Sequence, residues 1–106
     1  MKLIVDTSVH TFTVTKAAEP KTDQDGRHKA DRRTGELLFV VQVMALEPES
    51  GADIITITVA GQPPKVAVGQ SVTPVELEAI PWATGGRNGV AFRAKALEAK
   101  QAVKAA

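Results

Sequence analysis

Two polar stretches carry the side chains that are best suited to bind a charged or planar ligand. The first, RHKADRR at residues 27–33, concentrates positive charge, and its cations are Arg27, Lys29, Arg32 and Arg33. The second, WATGGRNG at residues 82–89, contains Arg87 and the only tryptophan, Trp82. Guanidinium and ammonium groups bind phosphate, and an exposed indole offers a face on which a planar ring can stack. Both stretches are therefore candidate binding sites.

Two further cations follow in the segment VAFRAKALEA, residues 90–99. Its apolar and polar residues alternate, as in a strand with one buried face. Arg93 and Lys95 are two residues apart and share the outward face, so we expect them to extend a cationic track from Arg87 across the sheet. Cations on an edge strand also discourage edge-to-edge pairing, which is the alternative role.

Each stretch also has a purely structural interpretation. Residues 27–33 can form a solvated loop, because the upstream acids Glu19, Asp23 and Asp25 offset much of its positive field. Trp82 can fold back to cap the core, since large aromatic side chains are often mostly buried. The two interpretations differ in whether these side chains are free to contact a ligand.

The sequence predicts no catalytic or metal-binding residues. His10 and His28 stand apart from any group of His, Cys or Asp at ligand spacing. Ser8 and His10 point the same way on a strand but have no third residue to orient them. The run GGRNG lacks the Lys-Ser/Thr pair and the following helix of a phosphate-binding loop. We therefore expect a non-catalytic protein with no cofactor and no metal ion.

Composition bounds the class of protein. The chain has 106 residues, enough for one domain, and its formal net charge of +1 does not by itself indicate a nucleic-acid binder. It has no cysteine, which excludes disulfides and thiolate metal sites. Its longest apolar run is far shorter than the ~20 residues that span a bilayer, and no signal-peptide core follows the first methionine. We expect a cytoplasmic protein that does not bind a membrane.

Hydrophobic patterning predicts the β-strands that would position these side chains. Their bounds are 2–15, 36–46, 53–60, 71–80 and 90–99. A β-bulge near His10 or Thr11 would bend the first strand, and alternation turns Ile57 inward on the third. Segments 16–35 and 81–89 lack a core pattern and are predicted to be functional loops.

Five strands with a connector after the third favour an all-β fold, a five-stranded OB-fold-like barrel. It would have a long basic loop between strands 1 and 2 and a short C-terminal helix or tail. The barrel domain would span residues 1–98 and the tail residues 99–106. The alternatives are an SH3-like barrel and a small β-sandwich. OB-folds bind oligonucleotides or oligosaccharides through loops 1–2 and 4–5, which correspond here to residues 16–35 and 81–89.

The chain resembles single-stranded DNA-binding OB-fold proteins, in size and layout the small helix-destabilising type of the filamentous-phage gene V class. The resemblance lies in GELLFVVQVMALE, DIITITVAG and VGQSVTPVELEAIPWATGGRNGVAFRAKALE, and it covers most of residues 35–98 as a pattern of strands and turns. Family members often stack bases on several tyrosines or phenylalanines, whereas this chain has no tyrosine and three phenylalanines.

The resemblance implies binding of single-stranded DNA with little sequence preference, through a cationic groove and aromatic stacking. RNA is a further candidate ligand, and a homodimer is the expected assembly. The residues expected to contact nucleic acid are Arg27, Lys29, Arg32, Arg33, Trp82, Arg87, Arg93 and Lys95. The alternative function is a protein-interaction or regulatory accessory module on the same barrel that does not bind nucleic acid. The salt dependence of binding distinguishes the two functions, because only nucleic-acid affinity falls steeply as ionic strength rises.

Overall fold

The computed structural model describes residues 2–99, and its eight strands form one mixed sheet that curls into a half-barrel. The strands are β1 (Leu3–Ile4), β2 (Thr11–Pro20), β3 (Leu38–Glu47), β4 (Gly51–Ala60), β5 (Ser71–Val75), β6 (Glu78–Thr84), β7 (Arg87–Arg93) and β8 (Ala96–Ala99). This range contains no helix, and thus none that is long and apolar enough to cross a membrane. The prediction of an all-β, barrel-like fold is confirmed.

The sheet is built on an antiparallel meander of β2, β3 and β4, extended by strands from the second half of the chain. The order across the sheet is β1-β6-β7-β4-β3-β2-β5-β8. β7 lies parallel to β4, with Phe92 opposite Ile57 and Arg93 opposite Thr58. β5 lies antiparallel to β2, with Phe12 opposite Val72. The second half of the chain therefore contacts both edges of the meander.

The prediction of five strands was wrong, partly because two of the expected strands are interrupted. Glu76 has a φ of 51°, in the left-handed region that a residue with a side chain rarely adopts, and it separates β5 from β6. The break changes the parity of burial: Pro74 and Leu77, three residues apart, are both buried, whereas Val75 between them is only half-buried. Ala94 and Lys95 form the matching break between β7 and β8.

The N-terminal strand is also divided. A turn follows β1, where the backbone N–H of Ser8 donates to the carboxylate of Asp6 (2.9 Å) and that of His10 donates to the carbonyl of Thr7 (3.1 Å). The irregularities of β2 lie later than the bulge expected near His10, namely between Val14 and Lys16 and between Lys16 and Glu19. The carboxylate of Asp6 caps this turn, and β1 ends before it. Hydrophobic alternation does not reveal such a cap.

The predicted loop at residues 16–35 was wrong in its bounds and its lack of structure. β2 continues to Pro20, and the segment 21–37 that follows is folded back by backbone hydrogen bonds. The backbone N–H of Lys21 donates to the carbonyl of Leu38 (3.0 Å). The backbone N–H of Lys29 donates in turn to the carbonyl of Lys21 (2.7 Å). We call this segment the basic arm. It is tied to the start of β3 rather than free in solvent.

The core lies between the meander and the strands that contact its edges. Its buried members are Phe12, Val14, Val41, Val43, Ile57, Val59, Val72, Leu77, Ala94 and Leu97. Ile57 is 0% exposed, so the inward assignment of the third predicted strand is confirmed at this position. Ala99, predicted to begin a tail, is the last residue of β8, and residues 100–106 lie outside the described residues.

Candidate nucleic-acid interface

The segment expected to be an open loop, residues 81–89, is instead the end of a regular hairpin. The ladder of β6 and β7 runs from the pair Glu78 and Arg93 to the pair Thr84 and Arg87. Gly85 and Gly86 make the turn, with φ of 56° and 78°. Two positive φ angles are those of the two-residue hairpin turn whose twist matches paired strands, and glycine adopts both without strain. Residues 81–84 and 87–89 therefore belong to the two strands rather than to a loop.

The outer part of this hairpin projects beyond the barrel. β1 pairs with β6 only at Glu78 and Ala79, and β4 pairs with β7 only at Phe92 and Arg93. Between these points and the turn, the residues on both strands are exposed or half-buried. An isolated two-stranded ribbon is marginally stable in water, so contact with a ligand or partner would stabilise this one.

Trp82 lies on the projecting part and does not cap the core. Its cross-strand partner is Gly89, and a Cβ atom at that glycine would lie 2.8 Å from Cζ2 of the indole. The indole therefore rests on the backbone of Gly89, in a space that only glycine leaves open. Trp82 remains 43% exposed, which leaves part of the ring accessible to a stacking partner.

Trp82, Arg87 and Arg93 share one face of the hairpin. Residues directly opposite in an antiparallel ladder point to the same side, and so do residues two apart along a strand. In the ladder, Trp82 lies opposite Gly89, Thr84 lies opposite Arg87, and Glu78 lies opposite Arg93. At roughly 3.3 Å per residue, Arg87 and Arg93 are about 20 Å apart along β7. The stacking ring thus lies between an arginine near the tip and an arginine at the base.

At the base of this face lies a cleft of about 820 Å³, which we call the basic cleft. The basic arm forms one wall, and the breaks after β5 and β7 form another. Its cationic lining residues are Lys2, Lys29, Arg32, Arg33, Arg93 and Lys95, and its acidic ones are Asp31, Glu36, Glu76 and Glu78. The cations outnumber the acids, so the cleft attracts anions.

An ion pair joins the two walls of the cleft. The guanidinium of Arg93 donates to one carboxylate oxygen of Asp31, and the other oxygen accepts the backbone N–H groups of Arg33 (2.8 Å) and Thr34 (3.3 Å). These bonds, that from Arg93 foremost, lower the pKa of Asp31 to about 2. The side chain of Asp31 is only 11% exposed and that of Arg93 36%. Arg93, which was expected to extend the cationic track, is therefore already paired with a carboxylate.

Lys21 adds a cation behind the cleft that sequence patterning did not identify. Its ammonium group donates to the hydroxyl of Thr58 (3.3 Å). Burial, and then the nearby positive charges of Lys29 and Arg93, lower the pKa of Lys21. Lys29 and Arg93 add to this shift after burial, so a bound anion nearby would favour the charged form of Lys21. Lys21 falls in a segment that lacks a core pattern, so hydrophobic patterning gives no sign of its partial burial.

The structure brings together most, but not all, of the expected contact residues. The basic cleft contains Lys29, Arg32, Arg33, Arg93 and Lys95, and the hairpin face above it carries Trp82 and Arg87. Arg27 lies elsewhere, on a turn in which the carboxylate of Asp23 accepts the backbone N–H groups of Asp25 (2.8 Å) and Arg27 (3.0 Å). Lys2 and Asp31 belong to the cleft but were not expected there.

The two histidines have different surroundings. His28 packs edge-on against Phe39, with ring centroids 4.9 Å apart, and its Nε2 donates to the carbonyl of Leu38 (2.7 Å). It therefore helps to fix the basic arm. His10 lies near the far end of β3, away from the basic cleft. Within residues 2–99 no group of three or more metal-binding side chains is placed to hold an ion.

Comparison with known proteins adds no relative to this description, since no family model, curated protein or solved structure matches the chain.

Proposed function

We propose that this protein is a non-catalytic single-stranded DNA-binding protein with little sequence preference. One observation carries the proposal: a partly exposed tryptophan, flanked by Arg87 and Arg93, lies on the hairpin face that leads into the basic cleft. The strand would follow the cations of the cleft with its phosphates and place bases against Trp82. Phosphate contacts and stacking accept any base, because neither reads base edges.

The connectivity of the sheet supports an OB-type barrel as the scaffold. If each interrupted pair, β5 with β6 and β7 with β8, is counted as one strand, the pairings β2-β3, β3-β4, β4-β7, β5-β8 and β5-β2 connect five strands in a circular order. A five-stranded Greek-key ring is the OB-fold architecture, which uses loops 1–2 and 4–5 for binding. In this ring those connections are the basic arm and the β6–β7 hairpin.

The cleft residues divide into contact and positioning roles. Lys29, Arg32, Arg33 and Lys95 are exposed at the cleft and would contact phosphates. Arg93 is already engaged with Asp31, so its main role in this proposal is to fix the basic arm against the hairpin. Fixing a cationic loop in place lowers the entropy cost of ordering it on binding.

The proposal includes a homodimer in the cytoplasm. The opposite face of the hairpin supports self-association, because Leu3 and Val90 expose apolar side chains there (48% and 51%). The same apolar face favours the second candidate function, a protein-interaction module that binds no nucleic acid. Sedimentation of the protein over a range of concentrations would test the dimer separately from DNA binding.

Titration of the Trp82 fluorescence with an oligothymidylate of about a dozen nucleotides tests the proposal, since OB-folds cover roughly 4–16 nucleotides. We expect saturable quenching, and an affinity that falls steeply between low and moderate salt. An oligouridylate of the same length measures the preference for DNA over RNA. Absence of saturable binding at low salt, or an affinity that salt does not change, would favour the protein-interaction module.

A further inference from the structure

A second pocket lies at the other end of β3 and β4, with a volume of about 280 Å³. Its walls are apolar side chains that pack against or belong to the core, namely Val5, Phe12, Ala45, Ile55, Leu77 and Phe92. Its polar lining residues are His10, Glu47, Ser50 and Asp53. None of its lining residues lines the basic cleft, so it is a separate site.

His10, one of the residues that line this pocket, carries an unsatisfied polar atom. Nδ1 of its ring is buried and has no hydrogen-bond partner, while the ring stacks on Phe12 with centroids 6.0 Å apart. Buried polar atoms in folded proteins are nearly always paired, since leaving one unpaired costs its desolvation. With the proton of the neutral ring on Nε2, Nδ1 is an acceptor that lacks a donor.

The other polar groups of the pocket make it negative. The carboxylate of Glu47 accepts the backbone N–H groups of Ser50 (2.7 Å) and Glu49 (3.2 Å), and hydrogen bonding to Ser50 and Glu49 lowers the pKa of Glu47. It therefore stays ionised at neutral pH. Asp53 adds a second carboxylate, and no lysine or arginine of the described chain lines the pocket.

We propose that this pocket binds a small organic cation, a single apolar ring or short chain that carries an ammonium group. The apolar walls take the ring, Nδ1 of His10 accepts a hydrogen bond, and the carboxylates of Glu47 and Asp53 attract the charge. The volume is slightly below the ~300–1,000 Å³ of pockets for drug-sized ligands, which suits one ring rather than two. This binding is independent of the proposed DNA binding.

The probe for this site is 2-phenylethylammonium, with 3-phenylpropionate and 2-phenylethanol as controls of opposite and zero charge. Titrations followed by amide chemical shifts at pH 7.5 should give saturable changes at Val5, His10 and Leu77 with the ammonium compound. The alcohol should bind more weakly, and the carboxylate should leave these signals unchanged. Equal shifts with all three compounds, or no saturation with the ammonium compound, would overturn the proposal.

Variants test each group of the pocket in turn. His10→Phe keeps a ring on Phe12 but removes Nδ1, and should weaken binding about fivefold, the effect of one hydrogen bond. Asp53→Asn should weaken it severalfold, whereas Glu49→Gln, outside the pocket lining, should bind like the wild type. If His10→Phe does not fold, the comparison of Asp53→Asn with Glu49→Gln decides. Equal weakening by those two would show only a general attraction to negative charge and would refute a built site.

Discussion

Asp31 and Arg93 are 62 residues apart in the chain, yet a charged hydrogen bond joins them at the base of the β6–β7 hairpin. Asp31 is held in turn by backbone N–H groups of the basic arm, and Arg93 belongs to the ladder of β7. The pair therefore links the two segments that the proposed function uses. It also means that the basic arm is an ordered wall of the cleft.

This pair should make part of the stability depend on acid. The folded pKa of Asp31 is about 2, below its ordinary value of 3.8, so its contribution is fully present above about pH 4 and is lost as pH falls through 2. Urea unfolding midpoints measured across this window should fall more steeply for the wild type than for Asp31→Asn. Parallel curves for the two proteins would mean that the pair contributes nothing to stability.

Charge removal from the cleft should reduce both affinity and its salt dependence. Replacing Lys29, Arg32 and Arg33 with alanine should flatten the salt slope of single-strand binding by roughly 0.7 per lost phosphate contact. Thermal stability should change little, because all three side chains are exposed. Arg27→Ala is the matched control, since Arg27 does not line the cleft, and its slope should equal that of the wild type. If replacing Lys29, Arg32 and Arg33 gives the same salt slope as the control Arg27→Ala, the cleft does not belong to the interface.

Loss of the indole should weaken binding without unfolding the protein. Trp82→Ala should cost ~1–3 kcal/mol of binding free energy, the range for one stacked base, and Trp82→Phe should recover part of it. Calorimetric titration with oligothymidylate measures both, because neither variant retains the tryptophan signal. A large drop in melting temperature for Trp82→Ala would instead assign the ring a structural role.

A methyl group at Gly89 should move the indole. The added Cβ would lie 2.8 Å from Cζ2 of Trp82, too close for the present packing, so the ring must shift. We expect Gly89→Ala to change the emission maximum of Trp82 in the free protein and to alter its quenching by DNA. Asn88→Ala, one residue away and on the other face of β7, should leave the spectrum unchanged. An unaltered spectrum in Gly89→Ala would contradict the contact.

A charge at the centre of the core should unfold the domain. Ile57 is 0% exposed, and an aspartate there would be an unpaired buried charge, which costs several kcal/mol. Thr56→Asp, on the exposed side of the same strand, should fold normally. Circular dichroism and thermal melts compare the two. Cooperative folding of Ile57→Asp would mean that the inward face of β4 is assigned backwards.

Sequence patterning predicted the strands that alternate regularly and failed where side chains or backbone break the alternation. β3 and β4 were located within a few residues, because burial of Val41, Val43 and Ile57 leaves a clear apolar pattern. The break at Glu76 was not predictable, since a positive φ at a glutamate has no compositional mark. Parity of burial changes there, and a period-two pattern carries no information across such a change.

The candidate site shows the same division. Arg87, Arg93 and Trp82 were identified by residue type, but their common face depends on a ladder that runs through what had been predicted as a loop. Gly85 and Gly86 make the turn, although the nearby pair Asn88 and Gly89 suits a hairpin turn equally well by composition. The pairing of Arg93 with Asp31 could not be predicted, because these two residues are far apart in the sequence and meet only in the folded protein.

The parallel pairing of β4 with β7 has a consequence for the order of folding. It joins Ile57 to Phe92, and the pairings of β2 with β5 and of β1 with β6 join segments that are still farther apart in the chain, whereas the β3–β4, β5–β8 and β6–β7 pairings connect nearer segments. Contacts between distant segments are slow to form, because the loop-closure entropy is lost before the contact stabilises anything. We therefore expect the meander and the hairpin to form first and to dock late. The face that joins Trp82 to the basic cleft exists only after docking, so a refolding chain would acquire DNA affinity in its slowest phase.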